Sequence, residues 1–139
     1  MTTVCCKRNS RTGSVHTATN RDDWNIRVVT ELRTRVSTSR VRIPDGCLLP
    51  LDAPREANQV TAALLCIEIL SPEDRMARIL QRMEDFRQMG VLNLWIIDPV
   101  QRIAHTYGSS GLQIVTTERI IIPGTPIYID LKNLFAELD

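Results

Sequence analysis

The chain has 139 residues, 43% of them hydrophobic, and its 17 lysines and arginines nearly balance its 16 aspartates and glutamates. This composition is typical of one globular domain and excludes a disordered tail or a two-domain enzyme. The longest uninterrupted apolar stretch, Ala62 to Ile67, is far shorter than the roughly 20 residues of a membrane-spanning helix. Because no apolar segment follows the basic residues near the N-terminus, we expect no secretory signal and a cytoplasmic protein.

The charge is unevenly distributed along the chain. Residues 1–42 contain nine basic and three acidic residues, a net charge of +6, whereas residues 43–139 have a net charge of −5. This division is compatible with a basic surface that faces a phosphate backbone beside an acidic site that holds a cation. A solvated arginine-rich face is the simpler interpretation, and charge alone favours it.

The N-terminal part divides into a polar arm and a predicted β-hairpin. Residues 1–23 are rich in serine, threonine, asparagine and arginine without apolar periodicity, which predicts a weakly ordered arm before a domain at residues 24–139. Apolar and polar residues then alternate from Ile26 to Val36, as in a half-buried strand. A serine-rich turn at residues 37–39 leads to a second extended run, Val41 to Leu49, so the two runs should form a hairpin.

The middle of the chain predicts a strand, a helix and a second strand. Ala62 to Leu70 is apolar on both faces, which is typical of a central strand. Ser71 is the predicted cap of a helix that runs to about Met89, with Pro72 in its first turn and Gly90 at its end. Leu92 to Ile97 is the next strand, and a strand–helix–strand crossover makes the two strands parallel.

The last third predicts short strands and a closing helix. The strands are expected at residues 102–107, 112–116 and 119–122, and Asp130 should cap a helix from Leu131 to Leu138. The complete pattern predicts an α/β fold: one mixed β-sheet with a βαβ crossover and flanking helices.

Two acidic residues occupy positions where apolar residues are expected. Asp45 shares a strand face with apolar neighbours, and Glu68 lies inside the central strand. Burial of an unpaired carboxylate costs several kcal/mol, so each must be neutralised, paired with arginine or bound to a cation. A structural arginine pair is the ordinary explanation. Two buried acids on neighbouring strands favour a divalent cation, because Mg²⁺ binds one or two carboxylates together with water and substrate phosphates.

Three segments in order resemble the Uma-type (Uma-two) family of restriction endonucleases, within the PD-(D/E)XK nuclease superfamily. They are RVRIPD at residues 40–45, CIEILSP at 66–72 and GVLNLWIIDP at 90–99. The resemblance implies a restriction-endonuclease-like fold and metal-dependent hydrolysis of DNA phosphodiester bonds. It also implies that Asp45 and Glu68 are catalytic residues that bind Mg²⁺ or Mn²⁺.

The sequence departs from the family pattern at the usual lysine. Two positions after the second acid the chain has Leu70, which carries no charge. Uma-type proteins commonly place the lysine on the next helix, four residues before an aromatic, and here that position is Arg82, on the same helix line as Arg75. Arginine can stabilise charge on phosphate but is too basic to accept a proton from water. Arg82 is therefore the third candidate catalytic residue, and a merely solvated helix-flanking residue is the alternative.

The resemblance leaves two functional hypotheses. Family members usually have a further helical and β-hairpin region before the strand that corresponds to Ile26 to Val36, where this chain has a short arm. The first hypothesis is an Mg²⁺-dependent endonuclease that acts on DNA. The second is a truncated or degenerate, catalytically inactive module that binds nucleic acid or a protein partner. A missing cover is compatible with a homodimer, and no membrane partner is expected.

Overall fold

The structure, a computed structural model, describes residues 5–8, 15–18, 25–54 and 56–138. Its elements, in chain order, are β1 Cys5–Arg8, β2 Val15–Ala18, β3 Ile26–Thr30, β4 Thr34–Arg35, β5 Val41–Arg42, β6 Gly46–Pro50, β7 Leu65–Ile69, α1 Met76–Met89, β8 Asn93–Asp98, β9 Ile103–Gly108, β10 Gly111–Ile114, β11 Arg119–Ile121, β12 Tyr128–Asp130 and α2 Leu131–Leu138. No helix in these ranges is long and apolar enough to span a membrane.

A mixed six-stranded sheet forms the centre of the described part of the chain. Its strand order is β10-β9-β8-β7-β6-β3, and only β7 and β8 are parallel, as the crossover predicts. Every residue of β7 is buried, so the prediction of a central strand covered on both faces is confirmed. The predicted α/β class with one mixed sheet is also confirmed.

The two faces of the sheet are covered by different helices. The residues on the α2 face include Leu65, Ile67, Ile69, Trp95 and Ile97 of the sheet with Leu134 and Phe135 of α2. Those on the α1 face include Cys47, Cys66, Leu94 and Ile96 of the sheet with Ile79, Met83 and Phe86 of α1. Because side chains alternate between the faces of a strand, Glu68 points to the same side as Cys66, toward α1.

Helix α1 begins four residues later than predicted, at Met76 instead of Pro72. Ser71 does not cap it, because the Asp74 carboxylate accepts hydrogen bonds from the backbone N–H and the hydroxyl of Ser71, and residues 71–74 are held in a turn. The N-cap position is Arg75, which makes no side-chain capping bond. The predicted end is confirmed: Gly90 stops the helix with a left-handed φ of 111°.

The predicted hairpin is present but interrupted. β3 pairs with β6 and β4 pairs with β5, both antiparallel. The first arm breaks at Glu31, which has a positive φ of 53°, and the second breaks at residues 43–45, between β5 and β6. The break before β6 determines the position of Asp45.

Other predicted features have mixed outcomes. Within the predicted arm, β1 and β2 pair as antiparallel strands; its remaining residues lie outside the described ranges, and the domain boundary at residue 24 stays a prediction. The three short strands expected after residue 101 are confirmed as β9, β10 and β11. Strand β12, which pairs with β11, was not predicted. The closing helix is confirmed, with the Asn133 N–H donating to the Asp130 carboxylate at 3.1 Å.

Candidate active site

Glu68 is an acid in the interior of the protein. It lies near the end of the central strand β7 and is only 2% exposed. The pKa of the Glu68 carboxyl is raised to about 9, first by burial and then by the neighbouring Asp45 carboxylate, against the opposing effect of the Arg82 guanidinium. Proximity to a like charge and loss of hydration both disfavour the ionised form. The site therefore holds excess negative charge that a proton or a cation would neutralise.

Asp45 comes to Glu68 through the register of two antiparallel strands. Gly46 of β6 is opposite Ile67 of β7, so the next position along places Asp45 opposite Glu68. The Asp45 Oδ2 accepts a hydrogen bond of 2.7 Å from the Ile69 N–H, and its carboxyl lies within hydrogen-bonding reach of the Glu68 carboxyl. The structure thus brings the two predicted acids together, half-buried Asp45 beside fully buried Glu68.

Arg82 reaches the same place from helix α1. It follows the exposed residue Gln81 and precedes the fully buried Met83, at the margin of the apolar face. Its Nη2 lies 3.0 Å from Oε1 of Glu68 and donates a hydrogen bond of 2.9 Å to the Ile43 carbonyl. The structure therefore places Arg82 in contact with Glu68, the acid that lies beside Asp45.

Two buried polar atoms of this site have no hydrogen-bond partner among the described residues. One is Glu68 Oε1, which contacts Arg82 as an ion pair without hydrogen-bond geometry, and the other is Arg82 Nε. Buried polar atoms are rarely left unsatisfied, and the exceptions often mark ligand sites. The unsatisfied Glu68 oxygen is a suitable ligand for a cation, and the unsatisfied Arg82 N–H is a suitable donor to a phosphate oxygen.

The donor set suits a hard divalent cation. Among the described residues, no three histidine, cysteine, aspartate or glutamate side chains form a group that could hold a metal ion. Mg²⁺ does not need such a group, because it is commonly bound by one or two carboxylates together with water and substrate phosphates. Asp45 and Glu68 supply two carboxylates, one of them with an unsatisfied oxygen, and so they fit this ion.

A groove of about 430 Å³ extends from the site along α1, and its wall includes Arg75, Arg78 and Arg82. The sequence predicts Arg75 on the helix line of Arg82, whereas Arg78 was not among the predicted residues. The spacing of three and four residues was the signal, since residues at such spacing share a helix face.

The arginine-rich hairpin is partly neutralised where it meets α1. Arg40 and Arg42 both form ion pairs of 3.0 Å with Asp85 of α1. These pairs connect β5 to the helix that carries Arg82. The net charge of residues 1–42 therefore overstates the basic surface that remains available to a ligand.

Comparisons with known proteins agree with this architecture. A family model described as "Uma2: Putative restriction endonuclease" matches residues 9–129. A solved structure, described as "a putative nuclease belonging to DUF820 from Anabaena variabilis ATCC 29413", has a TM-score of 0.71 and 21% sequence identity, and the match covers 85% of this chain and 72% of that one. A comparison with curated proteins found no match.

Proposed function

This chain belongs to the Uma2 family, and we propose that it is a metal-dependent endonuclease that hydrolyses DNA phosphodiester bonds. The carrying observation is the contact of Glu68 with both Asp45 and Arg82, in which two carboxylates and one guanidinium meet at a buried point. The carboxylates supply negative charge that binds a cation, and the guanidinium supplies positive charge that binds a phosphate. The nuclease-like fold supports the same conclusion.

Asp45 and Glu68 would hold the cation. When bound, Mg²⁺ or Mn²⁺ polarises phosphate and lowers the pKa of a coordinated water. The Ile69 N–H fixes one oxygen of Asp45, and this bond restricts the rotation of the carboxylate. Glu68 is fixed by burial, because a side chain enclosed within a packed sheet has few rotamers available. The two ligands are therefore preorganised before a cation arrives.

Arg82 would stabilise negative charge on the phosphate. Its guanidinium is held by the Ile43 carbonyl and by Glu68, while Nε remains an unused donor. A guanidinium stays charged at all physiological pH values, so Arg82 can hold a phosphate oxygen but cannot remove a proton from the attacking water. The base in this reaction is thus not Arg82.

A second function is favoured by one observation. Arg82 already contacts Glu68 Oε1 at 3.0 Å, and a permanent cation at this point can replace a metal ion. In that case the chain is a catalytically inactive module that binds nucleic acid or a protein partner through the same surface. Glu68 then serves only as the structural ion-pair partner of Arg82.

Metal titration and DNA nicking distinguish the two functions. Isothermal titration of Mn²⁺ into the wild type should show binding, and Glu68→Ala should abolish it. Supercoiled plasmid should be nicked by the wild type in Mg²⁺ or Mn²⁺ and not by the variant. Glu118→Gln is the matched control, because it removes one exposed carboxylate outside the site. Absence of Mn²⁺ binding and of nicking in the wild type would favour the inactive module.

A further inference from the structure

We propose that Arg75 and Arg78 bind the DNA backbone phosphates that flank the one held at Arg82. This inference rests on the proposed function and extends it, because it assigns a binding surface to residues outside the acid pair. The surface is the arginine side of the groove of about 430 Å³ along α1, hereafter the arginine track, formed by Arg75, Arg78 and Arg82.

The ion pairs between described residues leave two of these arginines available. Arg82 is engaged with Glu68. Neither Arg75 nor Arg78 forms an ion pair with any described residue, and both side chains are exposed. Unpaired guanidinium groups in a concave surface attract anions, and bidentate recognition of phosphate is a common use of arginine.

The acids of the groove do not neutralise these two positions. Asp74 and Glu73 also line it, but the Asp74 carboxylate is occupied by the N–H and hydroxyl of Ser71. Both acids precede Arg75 in the chain, and among the described residues neither forms an ion pair with Arg75 or Arg78.

The spacing of the track matches a nucleic-acid strand. Residues 75, 78 and 82 fall within about 60° of one another around the helix, at 100° per residue, and span about 10 Å along its axis. A DNA strand carries one phosphate per about 3.4 Å of its axis. The track can therefore contact about three consecutive phosphates, with the one at Arg82 beside the two acids.

The test compares two double variants with the same change in charge. Arg75→Gln/Arg78→Gln removes the two available arginines of the track. Arg87→Gln/Lys132→Gln removes two exposed basic residues outside it. Binding of a fluorescein-labelled DNA duplex is followed by anisotropy in EDTA at several salt concentrations, and plasmid nicking is followed in Mn²⁺. Thermal unfolding confirms that both variants are folded.

The track variant should bind the duplex roughly ten- to a hundredfold more weakly than wild type, and its salt slope should fall by about two. The loss should be equal for duplexes of unrelated sequence, because phosphate contacts carry no sequence information. In nicking assays the KM for plasmid should rise while kcat changes little. The control variant should lose less than threefold in affinity.

The outcomes separate this inference from the proposed function. If wild type binds and nicks DNA and the track variant does both equally well, the inference is wrong and the nuclease proposal stands. If wild type binds without nicking and the track variant loses binding, the track is supported and the enzyme is not. If wild type does not bind duplex DNA at all, the inference is overturned together with the DNA substrate.

Discussion

Replacement of Glu68 with glutamine should stabilise the metal-free protein while abolishing its activity. Glutamine has the shape of a protonated glutamate, so it can donate to the Asp45 carboxylate and still lie beside Arg82. It never ionises, and therefore it avoids the cost of holding a carboxylate in the interior. An ion pair retained for stability would give the opposite result, because the variant would leave Arg82 without its partner.

The magnitude follows from the pKa of Glu68. Because this pKa rises from its ordinary 4.5 to about 9 on folding, the folded protein binds more protons than the unfolded chain between these values. Its stability therefore falls as pH rises through this window. One pKa unit corresponds to about 1.4 kcal/mol, so the cost near pH 7.5 is at most about 4 kcal/mol. We expect Glu68→Gln to gain about 2 to 4 kcal/mol there and almost nothing near pH 4.5.

Guanidinium denaturation followed by tryptophan fluorescence measures this effect, since Trp95 is buried at 2% exposure. Curves are compared for wild type, Glu68→Gln and Glu118→Gln at pH 5 and pH 7.5, each in EDTA and in Mn²⁺. Mn²⁺ should stabilise wild type at pH 7.5 and leave Glu68→Gln unchanged. A lower stability of Glu68→Gln than of wild type at pH 7.5 would refute the reasoning and make the contact with Arg82 a structural ion pair.

Substitutions at three further positions test the site and the packing of α1. Arg82→Lys should retain or raise Mg²⁺-dependent nicking, because the charge is kept, whereas Arg82→Ala should lower it roughly ten- to a thousandfold in plasmid assays. Asp45→Asn keeps an acceptor for the Ile69 N–H but loses the charge, so the variant should stay folded by circular dichroism and lose Mn²⁺ binding by calorimetry. Phe86→Ala removes a fully buried ring from α1 and should cost about 3 to 5 kcal/mol in denaturation experiments.

The sequence predicted the centre of the fold because there one physical signal dominates. β7 is apolar on both faces, and the pattern of α1 places Ile79, Met83 and Phe86 on one buried side. Gly90 adds a stop with a definite backbone requirement, a left-handed φ that glycine adopts without strain. Burial of apolar side chains determines where these elements form. The alternation or helical spacing of apolar residues in the sequence therefore predicts them directly.

The errors occurred where local hydrogen bonds compete with the pattern. Ser71 and Pro72 have the composition of a helix start, yet the Asp74 carboxylate binds Ser71 and holds a turn. Glu31 continues the alternation of the first strand, yet its backbone has a positive φ, which no side-chain pattern indicates. Such choices differ by small free energies and are decided by the surrounding structure.

Asp45 and Glu68 could be identified from the sequence because each contradicts its own surroundings. Their meeting required the register of β6 and β7, which alternation alone does not fix. The contact of Arg82 with Glu68 required the crossing of α1 over the sheet. The unsatisfied Glu68 Oε1 and Arg82 Nε are properties of assembled geometry and have no signature in the sequence.

The break at Ile43, Pro44 and Asp45 is what assembles the site. In an uninterrupted strand, the Ile43 carbonyl would pair within the sheet, and the Ile69 N–H would pair with a backbone carbonyl. Because the ladder stops between β5 and β6, the Ile43 carbonyl accepts the Arg82 guanidinium and the Asp45 carboxylate accepts the Ile69 N–H. Proline lacks an N–H and fixes φ, so Pro44 favours the break. Ile43 therefore holds Arg82, the candidate phosphate-binding residue. Asp45, two positions later, is the candidate metal ligand that the Ile69 N–H holds in place.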